Sequence, residues 1–383
     1  MFRKTHILLA GALFCASPVG ASEPPDPLIA PEGTAATNAE IWREHVRPGT
    51  LQLFRQQVYG ARPVDKPDDF KAEIVSESEA LDGTAIRKEI RLSYSGPGGQ
   101  GGFTAVLFVP KAATKPAPAF VLINFVDPDP DLKKNRAGLW PVREIIARGH
   151  ATACFNFNAV DPDRSDGFKD GVRALFGKQA PGPGAWGALS AWGWGASRVM
   201  DYLETDKAID AKRVAIIGHS RAGKAAVWCG AEDERFALVV SNNSGSGGAA
   251  LSRGKTGERV ADITTRFPHW FCQNYANFAN REDSLPIDQH QLLGLIAPRL
   301  LYVASATDDA WAHPENEFKS CVLAGPVFRL YGKKGLESDT QPPPDKAMLD
   351  GNIGYHLRTG KHDMLVSDWN HYLDFADKHW GKP

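Results

Sequence analysis

Residues 214–228 read VAIIGHSRAGKAAVW, and this stretch decides the fold. An apolar run leads into a turn in which Gly218 and Gly223 bracket Ser220, and an alanine-rich segment with the composition of a helix follows. This order of strand, turn and helix is the context of a nucleophile elbow, which holds a reactive serine at the end of a strand with its Oγ exposed. Ala222 stands where the common G-x-S-x-G pattern has its second glycine, and such a motif alone is a weak signal. Its context favours Ser220 as a nucleophile over a glycine-rich turn that merely caps a helix.

The same turn carries two cations in an unfavourable position. If a helix begins at Ser220, Arg221 and Lys224 both lie in its first turn. The helix dipole disfavours a cation there by about 0.3 to 1 kcal/mol. Because residues spaced three apart share one face of a helix, both cations point to the same side of the turn. Their placement indicates that some other use compensates for the cost.

The rest of the chain alternates strand-like and helix-like segments. The segments 88–95 and 103–110, separated by GPGGQGG, predict an antiparallel hairpin. Continuous apolar runs predict buried strands, and PVREIIARG and the segments near 186–204 and 369–380 have helical patterns. The predicted buried strands are 120–125, 151–157, 214–218, 236–241, 300–305 and 327–331. Such alternation indicates an α/β-hydrolase, a three-layer sandwich with a mostly parallel central sheet.

The composition is that of an ordinary globular protein. The chain has 383 residues, is 43% hydrophobic and carries a formal net charge of −1. We expect no nucleic-acid partner, no membrane span and a monomer. Cysteines 154, 229, 272 and 321 have apolar or aromatic neighbours, which favours buried free thiols, although three disulfide pairings remain open. We see no cysteine spacing of a zinc site, and we expect no metal or cofactor.

The N-terminus has the features of an export signal. Residues 1–21 combine two basic residues, a short apolar run and a small-residue cleavage pattern, which predicts a signal peptide and a secreted or periplasmic protein. Residues 22–60 are interpreted as an extended leader and a first helix, because their beginning is rich in proline, alanine and acidic residues. Residues 61–383 are interpreted as a single catalytic domain.

A base and an acid should follow the nucleophile in the order serine, acid, histidine. His362, in the loop sequence TGKHD before the last helix, has the right place for the base. For the acid, the chain offers Asn243 after the strand 236–241, and Asp308 and Asp309 after the strand 300–305. Asn243 is neutral and cannot support an imidazolium as a carboxylate does. Asp308 and Asp309 remain alternatives at this point, since either is able to cap the following turn.

Four long stretches resemble the glucuronoyl esterases, carbohydrate esterase family fifteen, and in particular its bacterial members. They are GHSRAGKAAVWCGAEDERFALVVSNNSGSGGAALSR (218–253), FPHWF (267–271), LPIDQHQLLGLIAPRLLYVASATDDAWAHP (285–314) and IGYHLRTGKHD (353–363). The resemblance implies an α/β-hydrolase that cleaves esters of 4-O-methyl-glucuronic acid, the link proposed between glucuronoxylan and lignin in plant cell walls.

The resemblance also implies roles for individual residues. Ser220 would be the nucleophile and His362 the general base, while Arg221 would reach the oxyanion. The sugar would be held by Lys224, Glu258 and Trp311. Many members carry the acid of the triad as a glutamate at the place of Asn243, so in this chain the resemblance assigns the acid to Asp309.

The same residues are also compatible with other roles and with other classes of protein. Without the resemblance, Lys224, Glu258 and Trp311 are better explained as a helix residue, a loop charge and a core aromatic. An acetyl-xylan esterase or another carbohydrate esterase would share the triad, and a weakly active or silent carbohydrate-binding relative would explain Asn243. A serine peptidase of this fold would add a large N-terminal domain. Hydrolysis of benzyl glucuronate compared with an aryl acetate distinguishes these classes.

Overall fold

The computed structural model of the protein describes residues 23–128, 138–177 and 182–383. The predicted signal peptide, residues 1–21, lies outside the described residues. Within these three ranges, no helix is both long enough and apolar enough to cross a membrane.

Ten strands form one sheet at the centre of the molecule. The order across the sheet is β1-β2-β3-β5-β4-β6-β7-β8-β10-β9. Neighbours from β5 to β10 pair in parallel, whereas β1, β2 and β3, the β3–β5 pair and the edge strand β9 are antiparallel. In chain order the strands are β1 (Lys71–Ala80), β2 (Ala85–Gly96), β3 (Gly99–Pro110), β4 (Ala117–Asn124), β5 (Ala151–Asn156), β6 (Ile209–His219), β7 (Leu238–Asn242), β8 (Leu300–Ala306), β9 (Ala347–Met348) and β10 (Ile353–Arg358). The predicted hairpin and the mostly parallel sheet are confirmed.

The helices lie between the strands along the chain. Their bounds are α1 (Ala39–Ile41), α2 (Arg47–Phe54), α3 (Val142–Ala147), α4 (Val172–Phe176), α5 (Ala188–Leu203), α6 (Arg221–Glu232), α7 (Val260–Arg266), α8 (Gln289–Gly294), α9 (Pro314–Leu330) and α10 (Val366–Trp380). Two π-helical turns, Trp42–Val46 and Arg55–Tyr59, flank α2. Short 3-10 turns occupy Phe157–Ala159, Gly167–Lys169, Gln273–Phe278 and Glu282–Ser284.

Helices cover both faces of the sheet. In β4, Val121 faces one hydrophobic cluster, whereas its neighbours Phe120 and Leu122 face a second one. The first cluster is completed by α5, α6, α8 and α9, and the second by α3 and α10. The central strands are therefore buried on both sides, which explains their continuous apolar sequences. The result is the predicted three-layer α/β fold.

The helical segment before residue 60 packs into this same core. Trp42, Phe54 and Tyr59 are buried in the first cluster. The ring of Tyr59 stacks on Trp228 of α6 with a centroid distance of 4.4 Å. The hydroxyl of Tyr59 donates a hydrogen bond to the carbonyl of Gly247 at 2.9 Å. The first helix is thus anchored to the helix that follows Ser220.

One predicted strand is wrong. Residues 327–331, VFRLY, form the end of helix α9 and the residue after it. A short apolar run fits a helix or a strand equally well, so length and context decide between them. Here Phe318, Cys321, Ala324 and Phe328 are buried at spacings of three and four, the spacing of one helix face.

The strand that extends the sheet beyond β8 is β10, with the sequence IGYHLR. His356 therefore lies inside a strand. It is buried, and its Nε2 lies 2.7 Å from Oδ1 of Asp368. Because β10 ends at Arg358, His362 lies in the loop between the last strand and the last helix, as predicted.

The four cysteines of the described residues are buried free thiols. This confirms the sequence interpretation. Burial raises the pKa of Cys272 to about 11 and that of Cys229 to about 12, so these sulfurs behave as small apolar groups at neutral pH.

Candidate active site

The chain reverses sharply at Ser220, between the last residue of β6 and the first residue of α6. Ser220 has φ of 58° and ψ of −125°, a conformation that a residue with a side chain rarely adopts. A Cβ at Gly218 would lie 2.2 Å from the carbonyl oxygen of Ala222, so only glycine fits there. The amide of Ser220 donates to the carbonyl of Asn242 in the neighbouring strand at 2.9 Å. This strained strand-to-helix turn has the backbone geometry expected of a nucleophile elbow.

His362 contacts a buried carboxylate. Its Nδ1 lies 2.6 Å from Oδ2 of Asp309, which also accepts a hydrogen bond from the side-chain amide of Asn243 at 2.9 Å. The other oxygen, Oδ1, accepts from the amide of Ala312 at 3.3 Å. Burial alone would raise the pKa of Asp309, but the hydrogen bond and charge of His362 outweigh it and the net direction is downward. Asp309 is thus held as a carboxylate beside the imidazole.

Asp308, the acid next to Asp309 in the chain, has a different contact. Asp308 accepts a hydrogen bond from the hydroxyl of Thr307 at 3.0 Å and lies at the surface. Asn243, at the place of the alternative acid, has φ of 47° and acts as a donor to Asp309. The geometry therefore brings Asp309 and not Asp308 to His362.

A pocket of about 290 Å³ opens beside the elbow. All seven residues predicted for the site line this one pocket. They are Ser220, Arg221, Lys224, Glu258, Asp309, Trp311 and His362. The pocket also has lining residues for which the sequence predicted no role, among them Arg266, Phe267 and Trp270.

Arg221 has a counter-charge from a distant loop. Its Nη1 donates to Oδ2 of Asp163 at 2.5 Å. The guanidinium carbon also lies 4.8 Å from the centroid of the Trp270 ring, which stacks on Phe267. The ion pair and the cation–π contact together offset the unfavourable position of Arg221 at the start of α6.

Lys224 is buried and has a counter-charge of its own. Its Nζ donates to the carbonyls of Ser244 and Ser246, both at 2.6 Å, and to Oε2 of Glu258 at 3.3 Å. Burial lowers the pKa of Lys224, although the charge of Glu258 opposes the shift. Glu258 is itself buried, and its amide donates to the carbonyl of Trp311 at 3.0 Å. Three protons of the ammonium group thus serve three acceptors.

Trp311 stands at the rim of the pocket. Its side chain is 45% exposed, unusual for a large aromatic residue, and it is not a core residue. The guanidinium of Arg266 lies 5.6 Å from its ring centroid. Lys255, buried behind the rim, donates to the carbonyl of Ala312 at 2.7 Å and supports the loop that carries Asp309 and Trp311.

A second histidine lies under His362. The ring of His219 is 4.6 Å from that of His362, and its Nδ1 lies 2.6 Å from Oδ1 of Asn242. The amide nitrogen of Asn242 donates to the hydroxyl of Tyr372, so its oxygen faces the imidazole and His219 is the donor. Burial, helped by the charge of His362, lowers the pKa of His219 to about 4. His219 is therefore neutral near pH 7.

Sequence reasoning missed Asp163, Trp270, Lys255 and His219. The two cations at the helix start were a usable signal, because buried or clustered charges need partners. The partner of Arg221 lies 58 residues earlier, in a loop that no local pattern connects to the elbow. Trp270 stood in the quoted sequence FPHWF, where an aromatic residue is usually read as core.

These features define the class of protein. A serine at a strained strand-to-helix turn of a mostly parallel sheet, followed by a carboxylate and a histidine in later loops, is the arrangement of an α/β-hydrolase with a serine nucleophile. Comparison with known proteins identifies the family. The family model described as "Glucuronyl esterase, fungi" matches residues 93–332. The chain belongs to the glucuronoyl esterase family, whose members are esterases.

Individual relatives agree with this assignment. The chain is 39% identical to carbohydrate esterase MZ0003 from an unknown prokaryotic organism, over 93% of this chain and 89% of that protein. It is 30% identical to a 4-O-methyl-glucuronoyl methylesterase of Schizophyllum commune, over 86% of this chain and 80% of that protein. The solved structure of a glucuronoyl esterase from Solibacter usitatus is similar with a TM-score of 0.89 and 41% identity, covering 95% of this chain and 100% of that one.

Proposed function

We propose that the protein is a serine esterase that hydrolyses esters of glucuronic acid and 4-O-methyl-glucuronic acid, as in the links between glucuronoxylan and lignin. The observation that carries the proposal is that Ser220, the His362–Asp309 pair and two cations with their counter-charges surround one pocket. Relatives over most of the chain are named as esterases of this acid. An acetyl esterase would share the serine and histidine but would not need charged groups beside the acyl part of the ester.

The proposed reaction proceeds in two steps. His362 takes the proton of Ser220 Oγ as this oxygen attacks the carbonyl carbon of the ester, and Asp309 stabilises the imidazolium that forms. The alcohol leaves with that proton, and the uronoyl group stays on Ser220. A water molecule then attacks the acyl-enzyme while His362 accepts its proton. The bond between the acyl carbon and Ser220 Oγ breaks, Oγ takes the proton back from His362, and the uronic acid is released.

The negative oxygen of each tetrahedral intermediate is assigned to two donors. One is the backbone N–H of Arg221, the residue after the nucleophile, as in other enzymes of this fold. The other is the guanidinium of Arg221, whose charge is aimed at the place where the oxyanion develops. Loss of one such donor costs about 2.7 to 4 kcal/mol of transition-state stabilisation in other serine hydrolases.

Lys224, Glu258 and Trp311 are assigned to the sugar. Since Lys224 already donates to three acceptors, a sugar hydroxyl would replace the longest of these bonds, the one to Glu258 at 3.3 Å. The hydroxyl would then accept from Lys224 and donate to Glu258, which keeps both charges satisfied. Trp311 offers the face of an exposed aromatic ring at the rim.

The test compares two substrates and two proteins. We expect the wild-type protein to hydrolyse benzyl glucuronate with a higher kcat/KM than an aryl acetate, and Ser220→Ala to lose both activities. Equal or better turnover of the acetate would contradict the assigned substrate class. Turnover of benzyl glucuronate by Ser220→Ala at the wild-type rate would contradict the mechanism.

We further propose that the protein is exported and acts as a monomer. The basis is the sequence of residues 1–21, with its basic start, apolar run and small residues before the polar segment that follows. N-terminal sequencing of the protein expressed in a bacterial host should show cleavage after this segment, and sedimentation should give the mass of one chain.

A further inference from the structure

Three donors from two separate parts of the chain meet on one carboxylate. Asp163 lies in the loop after β5, and its Oδ2 accepts from Nη1 of Arg221 at 2.5 Å. Its Oδ1 lies 2.8 Å from Nε2 of His269 and accepts from the indole N–H of Trp270 at 2.7 Å. The side chain of Asp163 is 12% exposed, whereas that of Arg221 is 35% exposed. Arg221 thus bridges from a largely buried anchor to the open pocket.

We propose that Asp163 is the positioning residue for Arg221 in ester hydrolysis, holding the guanidinium where the oxyanion forms. This inference rests on the proposed function, because it assigns to Asp163 an effect that is exerted only through Arg221. Asp163 does not line the pocket itself, so it is not assigned a contact with the substrate.

The geometry explains why such an anchor is needed. A free arginine side chain has many rotamers, and ordering one during the reaction would cost conformational entropy at every turnover. Asp163 fixes one edge of the guanidinium, and Trp270 covers one face at 4.8 Å. The N–H groups on the remaining edges are then aimed before the substrate arrives, which is the condition for efficient stabilisation of a developing charge.

The anchor is itself held in place. The amide of Asp163 donates to the side-chain oxygen of Asn158 at 2.9 Å. Burial alone would raise the pKa of Asp163, but hydrogen bonds from His269, Trp270 and Arg221 lower it to about 2. The carboxylate is therefore ionised throughout the pH range in which esterases are assayed, and its effect on Arg221 should not vary between pH 5 and pH 9.

The Asp163 carboxylate has two opposing effects on the rate of ester hydrolysis. As an anchor it orients Arg221, so its loss should slow the reaction. As a negative charge beside Arg221 it weakens the field at the oxyanion, so its loss should speed the reaction. Orientation dominates in our proposal, because a displacement of about 1 Å at a reacting centre costs roughly 100-fold in rate.

The test is a double-mutant cycle on benzyl glucuronate. We expect Asp163→Asn to lower kcat by about 10- to 100-fold with KM changed by less than about twofold. In an Arg221→Ala background, the same substitution should change kcat by less than about twofold, because the group that it positions is gone. The ratio of wild-type to Asp163→Asn kcat should be constant from pH 5 to pH 9.

A matched control separates positioning from a general loss of stability. Asp201 is a buried carboxylate of α5 that contacts Arg198 and Arg235, and none of these three residues lines the pocket. Asp201→Asn should lower the Tm and leave kcat within about twofold. If Asp163→Asn fails to fold, His269→Ala removes one of the donors that orient Asp163, and its loss of kcat should again vanish in the Arg221→Ala background.

Several results would overturn the inference. They are an unchanged or increased kcat for Asp163→Asn, or an equal fold-loss with and without Arg221. Each comparison is repeated on an aryl acetate, whose hydrolysis also forms an oxyanion. A protein that cleaves only the acetate would contradict the proposed substrate while leaving the effect of Asp163 on Arg221 measurable.

Discussion

The substitution Asp309→Asn isolates the charge of the proposed acid from its shape. Oδ2 of Asp309 accepts from both His362 and Asn243, whereas Oδ1 accepts only the longer bond from Ala312 at 3.3 Å. In the variant, the amide oxygen should take the place of Oδ2, because the opposite orientation would set its NH2 group against the Asn243 donor. His362 would then keep the tautomer that is needed to accept a proton from Ser220.

The expected loss is therefore that of the charge alone. For two unit charges about 4 Å apart near a protein surface, the interaction is about 4 kcal/mol. At about 1.36 kcal/mol per tenfold change in rate, this corresponds to a loss of about 10³-fold in kcat. A wrong tautomer would add to this loss, and a serine protease with a forced wrong tautomer loses about 10⁴-fold.

Steady-state kinetics with benzyl glucuronate measures this loss. Asp308→Asn is the matched control, because Asp308 is the adjacent exposed acid, and it should stay within about twofold of wild type. In an Asn243→Ala background the Ala312 donor remains and favours the amide oxygen at the Oδ1 position, which turns the NH2 group towards His362, so Asp309→Asn should cost about tenfold more than in the wild type. A loss of less than tenfold for Asp309→Asn, or equal losses for the two aspartates, would refute the assignment.

Four further predictions follow from the pocket. Arg221→Ala should lower kcat by about 100-fold or more with a smaller effect on KM, and the opposite pattern in steady-state kinetics would make Arg221 a ground-state binder. Glu258→Leu leaves Lys224 buried without its carboxylate and should lower the free energy of unfolding in urea by about 3 to 5 kcal/mol. The double variant Glu258→Leu, Lys224→Met has no unpaired buried charge, so its free energy of unfolding should fall by less. Trp311→Ala should raise KM for a glucuronoxylan ester and leave the Tm unchanged, because the ring is exposed. The pKa of His219 is lowered to about 4, so its imidazole stays neutral in the folded state, whereas in the unfolded chain it is protonated below about pH 6.5 and stability is lost as the pH falls. Between pH 7 and pH 5, the free energy of unfolding in urea should fall by about 2 kcal/mol more for the wild type than for His219→Gln.

The fold could be predicted from the sequence wherever a local pattern had only one reading. The strand and helix around Ser220 and the hairpin at 88–110 belong to this group. VFRLY did not, because a short, mostly apolar run fits both kinds of element and the burial of Phe318 and Cys321 on the same helix face was not visible locally. The edge strand β1 also escaped prediction, because most of its residues are exposed and give no apolar alternation.

The site could be predicted only in part for a similar reason. Ser220 and His362 are marked by their place relative to strands, and the resemblance of long segments named Lys224, Glu258 and Trp311. Asp163 is marked by neither, since it is one of several acids in a polar loop and its partner lies on another element. Such long-range pairs exist only after the sheet has brought the loop after β5 next to the start of α6.

The ion pairs around the elbow also bear on how the product leaves. Three cations line the pocket, Arg221, Lys224 and Arg266, together with two carboxylates, Glu258 and Asp309, and a third carboxylate, Asp163, pairs with Arg221. In the proposed reaction the ester bond is neutral, whereas the released uronate is an anion. A pocket with an excess of positive charge would retain that anion and slow the next turnover. Because these three cations are matched by three carboxylates, the pocket has little net attraction for the uronate, and product inhibition should be weak.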